Sequence, residues 1–207
     1  MAAVLPAGGY AEYAVAPAEA VVEIPDGAGF ADASGLLVQG LTAYGVLHDS
    51  ARVGEGAAVL VMAAGGGVGT LAVQLAKLAG AGTVVGAAGS RGVDVALECV
   101  GGDVGARAYG CLAPLGRLVT YGAAGGEGLR PPDMWQLNLK GQTVGGYGGP
   151  WIRPGAAARA REALSASLRD GGLKVVVGAS FPLEDAPEAH RAIEERRTSG
   201  KVVLAVR

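Results

Sequence analysis

The glycine-rich stretch at 63–69, AAGGGVG, is the part of the sequence best suited to chemistry. It separates an apolar run at 57–63 from an amphipathic run at 68–79, which predicts a strand, a tight turn and a helix. Glycines let the backbone approach phosphate groups, and the N-terminus of the following helix carries a partial positive charge. The pattern predicts a pyrophosphate site formed by Ala63, Gly66, Gly67, Val68 and Gly69.

A second candidate phosphate site follows the next predicted strand, 83–88. NAD-binding chains place a carboxylate near this point, where it binds the ribose hydroxyl. The sequence has Ser90 and Arg91 there instead, and a hydroxyl with a guanidinium suits a 2′-phosphate. We therefore expect NADP(H) rather than NAD(H), with the alternative that Arg91 is an exposed loop charge.

The elements that must position these residues are predicted from alternating apolar runs and amphipathic helices. Continuous apolar strands separated by helices are typical of a parallel sheet covered on both faces. We expect an α/β fold with a Rossmann-like, doubly wound, mostly parallel sheet. The predicted strands are 10–16, 21–24, 57–63, 83–88, 93–99, 116–121, 142–147, 173–178 and 201–206. The predicted helices are 30–49, 68–79, 103–112, 155–170 and 185–197.

The connection between strands 83–88 and 93–99 is unusually short. A parallel crossover needs a dozen or more residues, usually including a helix. Either strand 93–99 runs antiparallel to its predecessor, or a crossover unit is absent from the sequence.

Composition limits the partners of this 207-residue chain. A formal net charge of −2 gives no electrostatic reason to expect nucleic-acid binding. The charge-free run at 57–76 is interrupted by the glycine turn, which argues against a membrane span. Two cysteines and no recognisable secretory signal favour a cytoplasmic location. Two distant histidines, His48 and His190, give no reason to expect a metal site.

Several further segments carry a resemblance to a known family. They are GGYAEY at 8–13, QGLTAY at 39–44, the A-x-x-G-x-x-G pattern at 63–69 and SGKVV at 199–203. In this order they resemble the zinc-independent quinone oxidoreductases of the medium-chain dehydrogenase/reductase superfamily, relatives of polyketide enoylreductase domains. The resemblance implies a dinucleotide-binding domain at 30–171 that lacks one crossover unit near 90–92. It also implies that 1–29 and 172–207 are the remnant of a truncated, GroES-like catalytic domain.

The resemblance also implies cofactor contacts outside the turn. Gln39 and Thr42 would face the nicotinamide ribose, although capping or solvent contact is the alternative. The backbone at 121–123 would hold the nicotinamide carboxamide, which adds Tyr121, Gly122 and Ala123. Arg196 and Lys201 would approach the cofactor phosphates, although each can equally be a solvated charge. The usual tyrosine candidate for proton donation has no counterpart, so the catalytic residues stay unassigned.

Together these features predict an NADPH-dependent reductase that transfers hydride to a quinone or an enone-like small molecule. The resemblance implies a homodimer, formed through the edge strand near 142–147. One alternative is a truncated, non-redox descendant that binds a small molecule or acts as an isomerase or cyclase in a biosynthetic pathway. Another is that the sequence is part of a full-length reductase.

Overall fold

The computed structural model describes residues 1–86 and 92–206, which contain nine strands and seven α-helices. The strands are β1 (Ala2–Ala3), β2 (Val21–Val22), β3 (Ala58–Val61), β4 (Thr83–Val85), β5 (Val93–Glu98), β6 (Leu112–Thr120), β7 (Thr143–Gly146), β8 (Val177–Pro182) and β9 (Lys201–Ala205). The α-helices are α1 (Phe30–Gly35), α2 (Leu41–Gly45), α3 (Gly67–Leu78), α4 (Gly102–Gly110), α5 (Met134–Lys140), α6 (Ala156–Arg169) and α7 (Ala186–Glu194).

Strands β3 to β7 form the central sheet, in the spatial order β4-β3-β5-β6-β7. All four pairings are parallel, so the predicted α/β fold is confirmed. Strand β5 lies beside β3, on the side away from β4, and runs parallel to it. The antiparallel alternative for the short junction is therefore wrong.

The core has two parts because successive strand residues point to opposite faces of the sheet. Val59 and Val61 of β3 belong to one buried cluster, with side chains from α2, α3 and α6. Leu60 belongs to a second cluster on the other face, which includes Ala108 of α4. The predicted coverage of both sheet faces is confirmed.

The helix predicted at 30–49 is a continuous helical stretch from 30 to 51. Two π-helical segments, Leu36–Gly40 and Val46–Ala51, interrupt its α-helical turns. Asp32 accepts a hydrogen bond from the Gly29 amide at 3.1 Å and caps the N-terminus. At the other end, the Arg117 guanidinium of β6 donates to the carbonyl of Ala51 at 3.0 Å.

One predicted strand is wrong, and two others differ in extent. The segment 10–16 forms no strand, and it is largely exposed with weak polar–apolar alternation. Only Val21–Val22 of the segment 21–24 is a strand. The strand predicted at 173–178 begins instead at Val177. The backbone at the start of the segment 173–178 bonds a side chain instead of a neighbouring strand. Gln74 of α3 bonds both the amide and the carbonyl of Lys174, at 2.8 and 2.9 Å.

Helix α5 was not predicted from the sequence, although it has a clear start signal. The Asp133 carboxylate accepts hydrogen bonds from the amides of Trp135 and Gln136 at 2.8 and 3.3 Å, as an N-cap does. The helix ends at Gly141, which has a left-handed φ of 61°.

The two chain ends form small separate sheets. Strands β1 and β2 pair antiparallel, and β8 and β9 pair parallel. The ends also meet, because the Tyr10 hydroxyl lies 2.9 Å from Nε2 of His190 on α7. Among the described residues, no helix is both long and apolar enough to cross a membrane.

Candidate functional site

The glycine turn packs tightly between β3 and α3. Ala63 takes a left-handed φ of 50°, and its carbonyl accepts a hydrogen bond from the Gly66 amide at 2.9 Å. Gly69 is buried, and a Cβ at this position would overlap the Ala63 carbonyl and lie 2.7 Å from the Cα of Ala64. Only glycine therefore lets α3 start this close to the turn.

The first turn of α3 offers free hydrogen-bond donors. The amides of Val68 and Gly69 have no hydrogen-bond partner within residues 1–86 and 92–206, whereas the Gly67 amide faces Gly200 in the parallel bridge between Gly66 and Gly200. Helix α3 has 12 residues, and the partial positive charge of its N-terminus adds to these donors. This arrangement suits a phosphate group.

Gln39 lies directly against the turn. A Cβ on Gly67 would come 2.6 Å from Cδ of Gln39, so the glycine makes room for this side chain. Gln39 belongs to the π-helical segment Leu36–Gly40, and its Oε1 is buried without a hydrogen-bond partner in the described chain. Thr42 lies three residues further along the helix, hence on the same face, and is half-buried.

A buried carboxylate organises the neighbouring strand ends. Glu98, the last residue of β5, is fully buried. Its Oε1 accepts from the amides of Val100 and Gly101 at 2.5 and 2.7 Å, and its Oε2 accepts from the Thr120 hydroxyl at 3.1 Å. Sequence reasoning missed this residue, although an acid between Leu97 and Cys99, near the end of the apolar run at 93–99, was the available signal.

Tyr121 follows β6 at the same edge of the sheet. Its hydroxyl is buried and interacts with the neighbouring Cys99 thiol. Burial, with smaller effects of Cys99 and Glu98, raises the pKa of Tyr121 far above its usual value. Burial likewise raises the pKa of Cys99. Gly122 and Ala123, in contrast, are exposed.

Lys201 reaches the glycine turn through its neighbour in sequence. The Gly200 amide donates to the carbonyl of Gly65 at 2.7 Å, and Gly200 bridges with Gly66. Lys201 therefore begins β9 next to the turn. It is half-buried and makes no ion pair with the described residues, and burial lowers the pKa of its ammonium group.

The other predicted cofactor residues are less well placed. Arg196 is exposed after α7, with a left-handed φ of 57°, and no hydrogen bond or ion pair joins it to the described turn. Ser90 and Arg91 lie outside the described residues. For a metal, no three His, Cys, Asp or Glu side chains lie together in the described part of the chain, so these residues do not fit a zinc centre.

A cavity of about 330 Å³ lies elsewhere, between the segment after β2 and helices α1 and α6. Ile24, Leu37 and Arg161 are among its lining residues, which include none of the predicted site residues. The predicted residues of the glycine turn and of 121–123 instead follow β3 and β6, at the carboxyl ends of the central strands. In open α/β sheets, ligands bind at such strand ends.

The chain is similar to several known proteins. Residues 76–204 match the family model described as zinc-binding dehydrogenase. The structure of the quinone oxidoreductase from Thermus thermophilus, which was also solved as its complex with NADPH, is 33% identical. The match covers 98% of this chain and 76% of the Thermus chain, with a TM-score of 0.84.

Two curated relatives that match nearly the whole chain are also oxidoreductases. The quinone oxidoreductase of Pongo abelii is 30% identical over 95% of this chain and 69% of its own length. The 2-haloacrylate reductase of a Burkholderia species is 27% identical over 96% of this chain and 71% of its own. That alignment has 237 positions, so at least 30 of them have no counterpart in these 207 residues.

The family model matches more than half of this chain. The chain therefore belongs to the zinc-binding dehydrogenase family of oxidoreductases and is related to the quinone oxidoreductases.

Proposed function

We propose that this chain is an NADPH-dependent reductase of a quinone or an enone-like small molecule. The observation that carries the proposal is the glycine turn. There the free amides of Val68 and Gly69 lie in the first turn of a helix, and the adjacent backbone leaves no room for a side chain at Gly69. The NADPH complex of the Thermus quinone oxidoreductase supports the choice of cofactor.

The described residues fit this cofactor. The amides of the first turn of α3 would bind its pyrophosphate, and Lys201 beside the turn would balance the phosphate charge. Gln39 and Thr42 would contact the nicotinamide ribose. The exposed backbone of Gly122 and Ala123 would contact the nicotinamide carboxamide, as the resemblance implies. Ser90 and Arg91 would bind the 2′-phosphate, and Arg196 would add charge near the phosphates.

When bound, NADPH supplies a hydride to the substrate. The chain itself would contribute orientation, since the turn and the strand ends would hold the two halves of the cofactor at one edge of the sheet. It also contributes positive charge: the N-terminus of α3 and Lys201 lie at this edge, and preorganised dipoles of this kind stabilise negative charge.

We further propose a homodimer formed through β7. All four residues of this edge strand are exposed, and Trp135 and Leu139 of the adjacent helix α5 are 64% and 62% exposed. A lysine on an edge strand discourages pairing, so Val144→Lys should give monomers in analytical ultracentrifugation if the wild type is a dimer. A wild-type monomer would contradict this proposal.

Two smaller expectations complete the proposal. We propose that 1–29 and 172–207 are the remnant of a catalytic domain and that 30–171 is the cofactor domain, as the resemblance implies. We also propose a cytoplasmic location, which agrees with the free thiols of Cys99 and Cys111.

A matched pair of variants at Gly66 tests the function. Gly66 is the N-cap of α3, is exposed and has extended φ and ψ of −81° and 172°. Asp and Asn are both preferred N-caps, so Gly66→Asp and Gly66→Asn should both fold. Only the aspartate repels a pyrophosphate.

The assay is oxidation of NADPH, followed by its absorbance, with simple quinones and enones as acceptors. We expect turnover by the wild type, at least partial turnover by Gly66→Asn and none by Gly66→Asp. Equal turnover by the two variants would show that the phosphates bind elsewhere. No wild-type turnover with any acceptor, together with tight binding of an apolar molecule without NADPH, would support the non-redox alternative instead.

A further inference from the structure

The cavity beside β2, α1 and α6 has no role in the proposed function. Its volume of about 330 Å³ lies within the range of about 300–1,000 Å³ that is usual for small-molecule sites in proteins. None of the predicted cofactor residues lines it. The cavity is therefore large enough to hold a small ligand of its own.

The floor of the cavity is apolar and packed. Ala33, Leu36 and Leu164 line it and are 5%, 7% and 1% exposed. Helix α6 approaches the helical stretch 30–51 closely at this point, since a Cβ on Gly40 would lie 3.2 Å from Cδ1 of Leu164. This contact fixes the spacing of the two helices, so the floor exists without a ligand. Such a surface favours an alkyl chain or another apolar group.

One wall of the cavity carries two hydrogen-bond donors. Arg161 and Ser165 are four residues apart on α6, so they are neighbours on one face of the helix. Both line the cavity and are half-buried. Neither side chain makes an ion pair or a hydrogen bond with the described residues. A guanidinium beside a hydroxyl suits a carboxylate, which accepts hydrogen bonds from both.

Two carboxylates, Glu23 and Glu162, also line the cavity. Both are exposed, and within the described chain neither forms an ion pair with Arg161. Water and salt screen exposed charges more than partly buried ones, so Arg161 dominates the attraction of a single negative charge. The two glutamates repel a doubly charged group such as a phosphate more strongly. The charges of the lining therefore favour a monoanion.

We propose that this cavity binds a small monocarboxylate with an apolar chain. The carboxylate accepts hydrogen bonds from the Arg161 guanidinium and the Ser165 hydroxyl, and the chain lies on Ala33, Leu36 and Leu164. The site goes beyond the proposed function, because it uses neither the glycine turn nor the cofactor.

The test uses octanoate, octanamide and hexanoate as probes. Octanamide keeps the chain of octanoate and lacks its charge, whereas hexanoate keeps the charge on a shorter chain. Arg161→Gln removes the guanidinium and keeps a good helix former. Arg159→Gln is the matched control, because Arg159 lies on the same helix, pairs with Asp49 and does not line the cavity. Isothermal titration calorimetry gives the dissociation constants, with and without saturating NADPH.

We expect one saturable octanoate site per chain in the wild type. Octanamide should bind at least about tenfold more weakly, the range of a hydrogen bond to a charged group. Hexanoate should bind about fifteenfold more weakly, because it buries two fewer methylenes. Arg161→Gln should weaken octanoate binding at least about tenfold and leave octanamide within about twofold of wild type. Arg159→Gln and added NADPH should change neither affinity.

Three results would overturn the inference. The first is no saturable binding of octanoate by the wild type up to about 10 mM. The second is an equal loss of octanoate and octanamide in Arg161→Gln, which would show that the guanidinium does not bind the carboxylate. The third is displacement of octanoate by NADPH, which would place the probe in the cofactor site. A wild type that binds octanoate and no NADPH would refute the proposed function and support this inference.

Discussion

Replacing Gly69 by alanine tests whether the close contact between α3 and the glycine turn is needed. The added Cβ would lie 2.7 Å from Cα of Ala64 and 2.9 Å from the Ala63 carbonyl carbon, both backbone atoms that a rotamer change cannot move. Overpacking of this kind costs about 1–3 kcal/mol. The better helix propensity of alanine returns about 0.5–1 kcal/mol. The net loss of up to about 2.5 kcal/mol should lower Tm by up to about 10 °C.

Gly65→Ala is the matched control, because a Cβ at Gly65 meets nothing within 4 Å. Thermal unfolding followed by circular dichroism gives the stability of each variant, and titration of NADPH fluorescence gives its affinity. We expect Gly69→Ala to melt lower and to bind NADPH more weakly, by about tenfold for one displaced hydrogen bond and by more for two. Gly65→Ala should match the wild type in Tm. A Gly69→Ala variant with unchanged Tm and affinity would refute the reasoning.

Three further predictions concern the supporting structure. Glu98→Ala leaves the amides of Val100 and Gly101 unpaired and should destabilise the chain by about 3 kcal/mol or more in urea unfolding; a loss below about 1 kcal/mol would contradict this. Arg117→Met removes the donor to Ala51 at the end of a helix and should cost about 1 kcal/mol in the same assay, whereas an unchanged urea midpoint would show that this bond is unimportant. Burial lowers the pKa of His48 below 6.5 in the folded chain. As the pH falls, the unfolded chain therefore binds a proton before the folded chain does, and the free energy of unfolding should decrease below about pH 6.5. His48→Phe, which keeps a ring beside Tyr44, should flatten this pH dependence between about pH 7.5 and 5, and an unchanged slope would assign it to other groups.

The central sheet was predictable because buried parallel strands are continuous apolar runs. The segments 57–63 and 93–99 therefore contained β3 and β5, and the turn between 63 and 69 was marked by its glycines. The sequence contained no comparable signal for the segment after α6. There the side chain of Gln74, one hundred residues away, bonds the backbone of Lys174, and the strand starts later than its apolar residues indicate.

The site was predictable only in outline. Parallel strands bring their carboxyl ends to one edge of the sheet, so residues 63–69 and 121–123 were expected to lie at the same edge. The individual side-chain contacts depend on packing that no local pattern encodes. Gln39 meets Gly67 because a π-helical segment sets its direction, and Glu98 is buried because two amides and a hydroxyl bind it.

The most direct test of the central claim, that this chain keeps a cofactor site at its glycine turn, is calorimetric titration of the wild type with NADPH. We predict one saturable site per chain, with a dissociation constant between about 1 μM and 1 mM, the usual range for enzyme ligands. NADH should bind more weakly because it lacks the 2′-phosphate that we assign to Ser90 and Arg91. No saturable binding of NADPH up to about 1 mM would contradict the claim.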